Sequence, residues 1–202
     1  SVVTVIGDDG HGSGFMVGCG ANVMTSWHVV EGGKSYQVRF HNGAQYPAEV
    51  MAVNDKAKKV DVAVLKMPGR PHNSRGVTVA TTLPPPGSTI YAVGAPLDPS
   101  LSQTVARGIV SAYRTLTDGT KLIQGDINIY PGSSGGPLLD SRGDVIGISA
   151  QNVEIEGVPS SISLFVPITE ALAALGRNSA HLGCAEGTGS SDLSSDGRLM
   201  RP

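Results

Sequence analysis

Short apolar segments separated by turns recur along almost the whole sequence, and they limit the possible folds more than any other feature. The segments are rich in valine and isoleucine, and the chain holds 27 glycines and 13 prolines. Such runs, bounded by turn residues, are typical of β-strands, so the pattern predicts an all-β fold. Six strands are predicted before a linker and six after it, over residues 1–6, 14–17, 21–27, 36–40, 46–54, 60–67, 89–93, 103–113, 122–129, 136–139, 145–152 and 161–166.

A glycine- and proline-containing stretch around Pro71 separates the two sets of strands. Proline has no N–H to donate to a sheet, so this stretch is predicted to be a linker that resists strand pairing. We therefore expect a first β-domain over residues 1–68, a linker over 69–78 and a second β-domain over 79–176.

The end of the sequence has a different pattern. Ile168, Leu172 and Leu175 are spaced as on one face of a helix, which predicts a short amphipathic helix packed on the second β-domain. Thr169 is expected to cap the start of this helix and Gly176 to end it. Residues 177–202 are rich in glycine, serine and aspartate, so they are expected to form a flexible tail in which Leu193 and Leu199 are the candidate anchors.

The charge balance and hydropathy exclude some classes of partner. With 15 basic and 17 acidic residues, the net charge of −2 gives no electrostatic attraction for nucleic acid or for an anionic membrane surface. The sequence has no uninterrupted apolar run of about 18 residues, so no membrane-spanning helix is predicted. We find no signal peptide in the sequence, and this absence does not place the protein in the cytoplasm.

The segment from Gly132 to Pro137 contains the candidate nucleophile, Ser134. A serine hydroxyl needs a base to remove its proton and N–H groups to hold the oxyanion. Gly132 has no Cβ and can turn its N–H inward beside that of Ser134, so these two N–H groups are the candidate oxyanion hole. A surface turn has the same composition, so the segment alone leaves catalysis and a conformational role both open.

The candidate base and acid lie in the first half of the chain. His28 is the histidine that lies within an apolar, strand-like run, and its place at the end of a strand would hold a base rigidly. Asp61 directly precedes an apolar strand, and an ionised carboxylate beside buried residues needs a partner, such as a catalytic imidazole. Asp55 lies in a polar turn and suits a surface role better. The other histidines are expected to be solvated loop residues: His11, His41, His72 and His181.

The order of histidine, aspartate and serine resembles the trypsin/chymotrypsin-fold serine proteases, and most of all the protease domain of the bacterial HtrA/Deg branch. The resemblance covers about residues 1–176. An esterase of the α/β-hydrolase type would have the serine first in the chain. The motifs that carry the resemblance are Gly12–Phe15, Thr25–Val30, Asp61–Leu65, Gly108–Ala112, Pro131–Asp140, Gly143–Ile148 and Phe165–Ile168.

The resemblance implies two six-stranded antiparallel β-barrels of the chymotrypsin type, with the active site in the cleft between them. His28 and Asp61 would come from the first barrel and Ser134 from the second. The implied activity is that of a serine endopeptidase that acts on proteins or peptides and requires no cofactor or metal. The resemblance also implies a periplasmic or secreted location. HtrA proteins carry a PDZ domain after the protease domain, and we expect none in this sequence.

The resemblance also places the primary side-chain pocket. Asn128 would form its base, and its walls would come from Ser149, Ala150, Gln151 and Asn152. No acid occupies the base, which argues against a preference for lysine or arginine. The absence of a histidine around Ser149 argues against a preference for glutamate, so a small or medium uncharged side chain is expected.

Several alternatives remain open from the sequence. The chain could be a catalytically silent binding module of the same fold, although all three catalytic positions are filled. It could also be a viral polyprotein-processing protease, although the ending Phe165–Ile168 looks bacterial. Cys19 and Cys184 could form a disulfide or remain free thiols, because sequence does not show how closely their Cα atoms approach. The oligomeric state is equally open.

Overall fold

The first half of the chain forms a closed barrel of six antiparallel strands. The computed structural model describes residues 1–8, 10–18, 21–54, 60–71, 74–95, 103–155, 158–176 and 192–193. The strands of the first barrel are β1 (Val2–Ile6), β2 (His11–Val17), β3 (Asn22–Thr25), β4 (Tyr36–Arg39), β5 (Gln45–Asn54) and β6 (Val62–Lys66). They are ordered β1-β2-β3-β6-β5-β4, and antiparallel pairing of β1 with β4 closes the barrel.

The second half of the chain forms another closed antiparallel barrel after a two-residue strand, β7 (Arg70–Pro71). Its strands are β8 (Thr89–Gly94), β9 (Thr104–Thr115), β10 (Lys121–Asp126), β11 (Pro137–Leu139), β12 (Val145–Ile155) and β13 (Val158–Pro167). They are ordered β10-β13-β12-β11-β8-β9, and pairing of β9 with β10 closes the barrel. The prediction of two six-stranded antiparallel barrels is confirmed.

Alternating side chains explain why these segments become barrel strands. In β8, Ile90 and Ala92 are buried, whereas Tyr91 and Val93 between them are only half-buried. Successive side chains of a strand point to opposite faces, so this alternation puts one row inside the barrel. In β1, Val3 and Val5 contribute to the core of the first barrel.

A third apolar cluster joins the two barrels. Phe15 and Met24 from the first barrel pack in one cluster with Val145 and Ile148 from the second. Burying this surface is favourable by roughly 25 cal/mol per Å² of apolar area, so the barrels stabilise each other. The cleft between them is therefore a fixed part of the fold.

The predicted C-terminal helix is present as α1 (Ile168–Ala174), and it buries Ile168, Ala171 and Leu172 against the same inter-barrel cluster. Gly176 has a positive φ of 65° just beyond the helix, as expected for a residue that ends it. The predicted cap at Thr169 is wrong, because Thr169 lies inside the helix and Pro167 holds the N-cap position without a side-chain cap bond. Strand β13 runs directly into the helix, which leaves no loop for a capping side chain.

Part of the predicted linker pairs with part of the predicted tail. Arg70–Pro71 forms a parallel ladder with β14 (Asp192–Leu193), so the expectation that this stretch resists strand pairing is wrong for these two residues. Pro71 needs no donor N–H at the edge of a two-stranded sheet. Leu193 is one of the two candidate anchors. Other predictions concern residues outside the described ranges, namely Cys19, Asp55, His72, His181, Cys184 and Leu199.

Candidate active site

The loop that carries Ser134 is a tight turn between the two barrels. The N–H of Ser133 donates to the carbonyl of Tyr130 at 2.9 Å, and the N–H of Gly136 donates to the carbonyl of Ser133 at 3.0 Å. Gly132 and Gly135 have positive φ angles of 92° and 83°, a conformation that glycine adopts at little cost. The glycines around Ser134 are therefore required by the turn itself.

Close approach to the first barrel adds a second requirement for glycine. A Cβ on Gly135 would lie 2.3 Å from both the carbonyl oxygen of Ser13 and Oγ1 of Thr25. The first barrel also holds Ser134, because its carbonyl accepts a 2.8 Å hydrogen bond from the N–H of Ser13. From the second barrel, the backbone carbonyl of Ser149 accepts a hydrogen bond from the N–H of Gly135 at 2.9 Å. The candidate nucleophile is thus held by both barrels.

His28 lies in a short 3-10 turn, Trp27–Val29, that follows β3. The expectation that a strand end holds this histidine is therefore wrong, since β3 stops at Thr25. The turn is closed by a 2.8 Å hydrogen bond from the N–H of Val30 to the carbonyl of Trp27. The backbone therefore leaves the sheet before it reaches His28.

Asp61, just before β6, holds His28 by two hydrogen bonds. Its Oδ1 accepts the backbone N–H of His28 at 3.0 Å, and its Oδ2 lies 2.5 Å from Nδ1 of the ring. The side chain of Asp61 is only 12% exposed, so the carboxylate is largely shielded from water. A carboxylate at Nδ1 keeps a proton on that nitrogen, and Nε2 is then the nitrogen that can accept a proton.

A cleft of about 330 Å³ brings the predicted residues together. Both His28 and Ser134 line it, and so does Gly132, the candidate oxyanion-hole residue. Among the described residues, the N–H groups of Gly132 and Ser134 donate to no backbone carbonyl, so both remain available to a ligand. The remaining lining residues are Gly7, Asp8, Gly10, His11, Val29, Glu31, Gly33, Tyr36 and Pro131.

His11 also lines this cleft, which sequence reasoning missed. It was expected in a solvated loop, but it is half-buried at the start of β2, with Nε2 3.1 Å from the carbonyl oxygen of Ala95. The pairing of His11 with Ile6 in β1 draws the residue into the barrel wall. His41, by contrast, is exposed in a turn, in agreement with the expectation.

The residues predicted for the primary side-chain pocket lie elsewhere. Asn128 is exposed in the segment after β10, and Ser149 in β12 is 1% exposed, with an Oγ that bonds to no described residue. Ala150 is half-buried, and the side chains of Gln151 and Asn152 lie outside the described part of the structure. Neither Asn128 nor Ser149 lines the 330 Å³ cleft, although the backbone of Ser149 pairs with Gly135 and Gly136 beside Ser134.

A protein-family model described as the trypsin-like peptidase domain matches residues 12–148, a span that includes all three candidate catalytic residues. The chain belongs to the trypsin-like peptidase family. A probable periplasmic DegP-like serine endoprotease of Pseudomonas savastanoi is 33% identical over 164 residues, which is 80% of this chain and 33% of that protein. The Do-like serine protease HtrA of Bacillus subtilis is 33% identical over 171 residues, covering 78% of this chain and 37% of that protein.

The architecture of this trypsin-like peptidase domain also matches solved structures. A variant of the HtrA-type protease AlgW with a tripeptide has a TM-score of 0.74 and 27% identity, covering 85% of this chain and 57% of that one. The chain spans about a third of the length of the curated relatives named above. No helix in the described ranges has the length and apolar character needed to cross a bilayer.

Tyr36 supports the turn of the peptidase domain that carries His28. Its hydroxyl donates to the carbonyl of Val30 at 2.6 Å, immediately after the turn. Burial, and then the negative charge of Asp8, raises the pKa of Tyr36 above its usual value, so the hydroxyl keeps its proton and continues to donate. A Cβ on Gly33 would lie 2.5 Å from that hydroxyl, which explains the glycine there.

Proposed function

We propose that this chain is the catalytic domain of an HtrA-type serine endopeptidase that cleaves peptide bonds through an acyl-enzyme. The observation that carries the proposal is the shared cleft. His28 and Ser134 line the same cavity, although they come from different barrels, and Asp61 is bonded to both the backbone and the ring of His28. This arrangement supports His28 as base, Asp61 as the orienting acid and Ser134 as nucleophile.

The reaction follows from these roles. Nε2 of His28 takes the proton from Oγ of Ser134 as that oxygen attacks the carbonyl carbon of the peptide bond. His28 then gives this proton to the leaving nitrogen as the carbon–nitrogen bond breaks. Water attacks the resulting ester with His28 again as base, and the bond from the acyl carbon to Oγ breaks as Ser134 regains its proton.

The oxyanion formed in each step needs donors already in place. The N–H groups of Gly132 and Ser134 have no backbone acceptor among the described residues, and Gly132 lines the cleft. Donors that are fixed before the reaction stabilise the developing charge without further reorganisation. These two N–H groups therefore form the oxyanion hole of the proposed mechanism.

The relatives support protein or peptide substrates and a location outside the cytoplasm. The Pseudomonas relative is named as a probable periplasmic serine endoprotease, and the AlgW structure contains a tripeptide. For this chain we assign the primary pocket to Asn128 and the segment from Ser149 to Asn152, with a preference for a small or medium uncharged side chain. The absence of an acid at the base and of a histidine in the wall supports this preference.

The test of the function is the change Ser134→Ala with Ser141→Ala as the matched control. Ser141 is an exposed serine in the turn after β11, so its hydroxyl takes no part in the chemistry. Hydrolysis of a mixed peptide library should fall by several orders of magnitude in Ser134→Ala, because only binding and oxyanion stabilisation remain. Ser141→Ala should match the wild type. Equal turnover by Ser134→Ala and the wild type would overturn the assignment.

A further inference from the structure

Ser13 is a fully buried polar residue in β2, on the other barrel from the nucleophile loop that it touches. Resting on the function proposed above, we propose that Ser13 is a positioning residue that sets the geometry of the oxyanion hole. It touches neither the substrate nor the reacting atoms in this proposal. It acts through the backbone of Gly132 and Ser134, which lie more than a hundred positions later in the sequence.

Every hydrogen-bonding group of Ser13 is used, and two of its four bonds hold the active-site loop. Its hydroxyl donates to the carbonyl of Gly132 at 2.7 Å and accepts the N–H of Ala95 at 2.8 Å. Its N–H donates to the carbonyl of Ser134 at 2.8 Å. Its own carbonyl accepts the hydroxyl of Thr25 at 2.7 Å. The two bonds to its Oγ hold the side chain in place.

These bonds fix the two residues that supply the oxyanion donors. A carbonyl bond at Gly132 fixes the peptide plane that follows this residue and thereby its ψ angle. Gly132 has a φ of 92°, and glycine has many other conformations available to it. The bonds from Ser13 to the carbonyls of Gly132 and Ser134 hold the peptide planes on either side of the one that carries the N–H of Ser134. The bond to Gly132 also holds this residue against its other conformations.

Steric contacts show how closely the loop fits around Ser13. A Cβ on Gly94 would lie 2.9 Å from Oγ of Ser13 and 3.0 Å from Cα of Ser133. A Cβ on Gly136 would lie 3.2 Å from Cβ of Ser13. Removing the hydroxyl would leave the Gly132 carbonyl and the Ala95 N–H without that partner.

The test compares Ser13→Ala with the wild type on a peptide substrate and on a peptide boronic acid, whose tetrahedral adduct places an oxygen in the oxyanion hole. Outright loss of an oxyanion donor costs about 100- to 1,000-fold in kcat, so a misdirected donor should cost about 10- to 100-fold. KM should change by less than about threefold, because the bound substrate uses these donors weakly. Affinity for the boronic acid should fall in parallel with kcat.

Two further variants separate positioning from general stability. Met67→Val shortens a fully buried side chain just after the end of β6, so it should lower the melting temperature but keep kcat and boronic acid affinity. Ser13→Cys keeps a weak donor of similar size, so it should give a kcat between those of the wild type and Ser13→Ala. This variant also provides the comparison if Ser13→Ala does not fold.

The outcomes distinguish this inference from the proposed function. If the wild type is active and Ser13→Ala has unchanged kcat and boronic acid affinity, the role of Ser13 alone is overturned. Where only Ser13→Cys folds, the same comparison is made with that variant. The role of Ser13 would also be overturned if Met67→Val, at the same melting temperature as Ser13→Ala, lost as much kcat as that variant. A folded wild type that neither hydrolyses peptides nor binds the boronic acid would overturn the proposed function and this inference together.

Discussion

At the scale of single residues, the contact between Asp61 and His28 is the one that orients the proposed base. One carboxylate accepts two hydrogen bonds from the same histidine, one from its backbone and one at its ring. The backbone bond fixes the turn and the ring bond fixes the tautomer, so the two bonds together orient Nε2 toward the cleft. Neither effect needs Asp61 to change its charge during the reaction.

Asp61→Asn should therefore lower kcat strongly while preserving the fold. An amide at this position can present its NH₂ to Nδ1, which would favour the tautomer with the proton on the wrong nitrogen. In serine proteases with this triad, the equivalent change costs about 10⁴-fold, and we expect a loss of similar order here. Steady-state kinetics on a peptide substrate measures it. Asp55→Asn is the control, and equal losses in both variants would contradict the choice of Asp61.

At the scale of elements, the hairpin of β11 and β12 directly follows the nucleophile loop in the chain. Its turn is built around Asp140, whose Oδ1 accepts the N–H groups of Arg142 and Asp144 at 2.9 and 3.0 Å. Burial raises the pKa of Asp140, but these backbone bonds and the Arg142 guanidinium outweigh it, so the pKa lies below its usual value. The hairpin begins directly after Gly136, so its stability bears on the active-site loop.

The lowered pKa predicts how the stability contribution of this hairpin depends on pH. A carboxylate with a lower pKa in the folded state stabilises the fold above its unfolded pKa of 3.8, and this contribution is lost as the pH falls through the folded pKa. Asp140→Asn should lower the free energy of unfolding by about 1 to 3 kcal/mol at neutral pH. The difference from the wild type should shrink below pH 3.8.

Urea denaturation at a series of pH values measures this difference. Asp118→Asn is the control, because Asp118 is an exposed turn aspartate whose Oδ1 accepts the N–H of Thr120 at 2.9 Å. Its replacement should change stability little at any pH. A stability difference for Asp140→Asn that stays constant down to pH 2 would contradict the assigned role of its charge.

At the scale of the whole molecule, sequence periodicity was sufficient for the strands but not for the contacts between barrels, and the two-barrel arrangement was implied by the family resemblance. Each predicted barrel strand overlaps an observed one, because strand alternation and turn residues are local signals. The parallel pair of β7 and β14 joins segments more than a hundred residues apart, and no local pattern marks it. For the same reason, the sequence does not reveal the contacts of His11 and Ser13, whose partners lie on the other barrel.

In the candidate site, too, local signals could be predicted from the sequence and tertiary contacts could not. Residue chemistry and chain order were sufficient to select His28, Asp61 and Ser134, and the structure places His28 and Ser134 on one cleft with Asp61 behind the histidine. The 3-10 turn that presents His28 was missed because the apolar run continues past the end of β3. A tertiary bond from Asp61 to the backbone of His28 favours the turn over continued strand pairing.

The central claim is that a histidine of the first barrel activates a serine of the second, and reaction with a phosphonofluoridate tests it most directly. Such a reagent forms a stable bond only with an activated serine, and mass spectrometry locates the bond after digestion. We expect one label per chain, on Ser134, and at least a hundredfold slower labelling in folded His28→Ala. No label on the folded wild type, a label on another serine, or equal labelling of His28→Ala would contradict it.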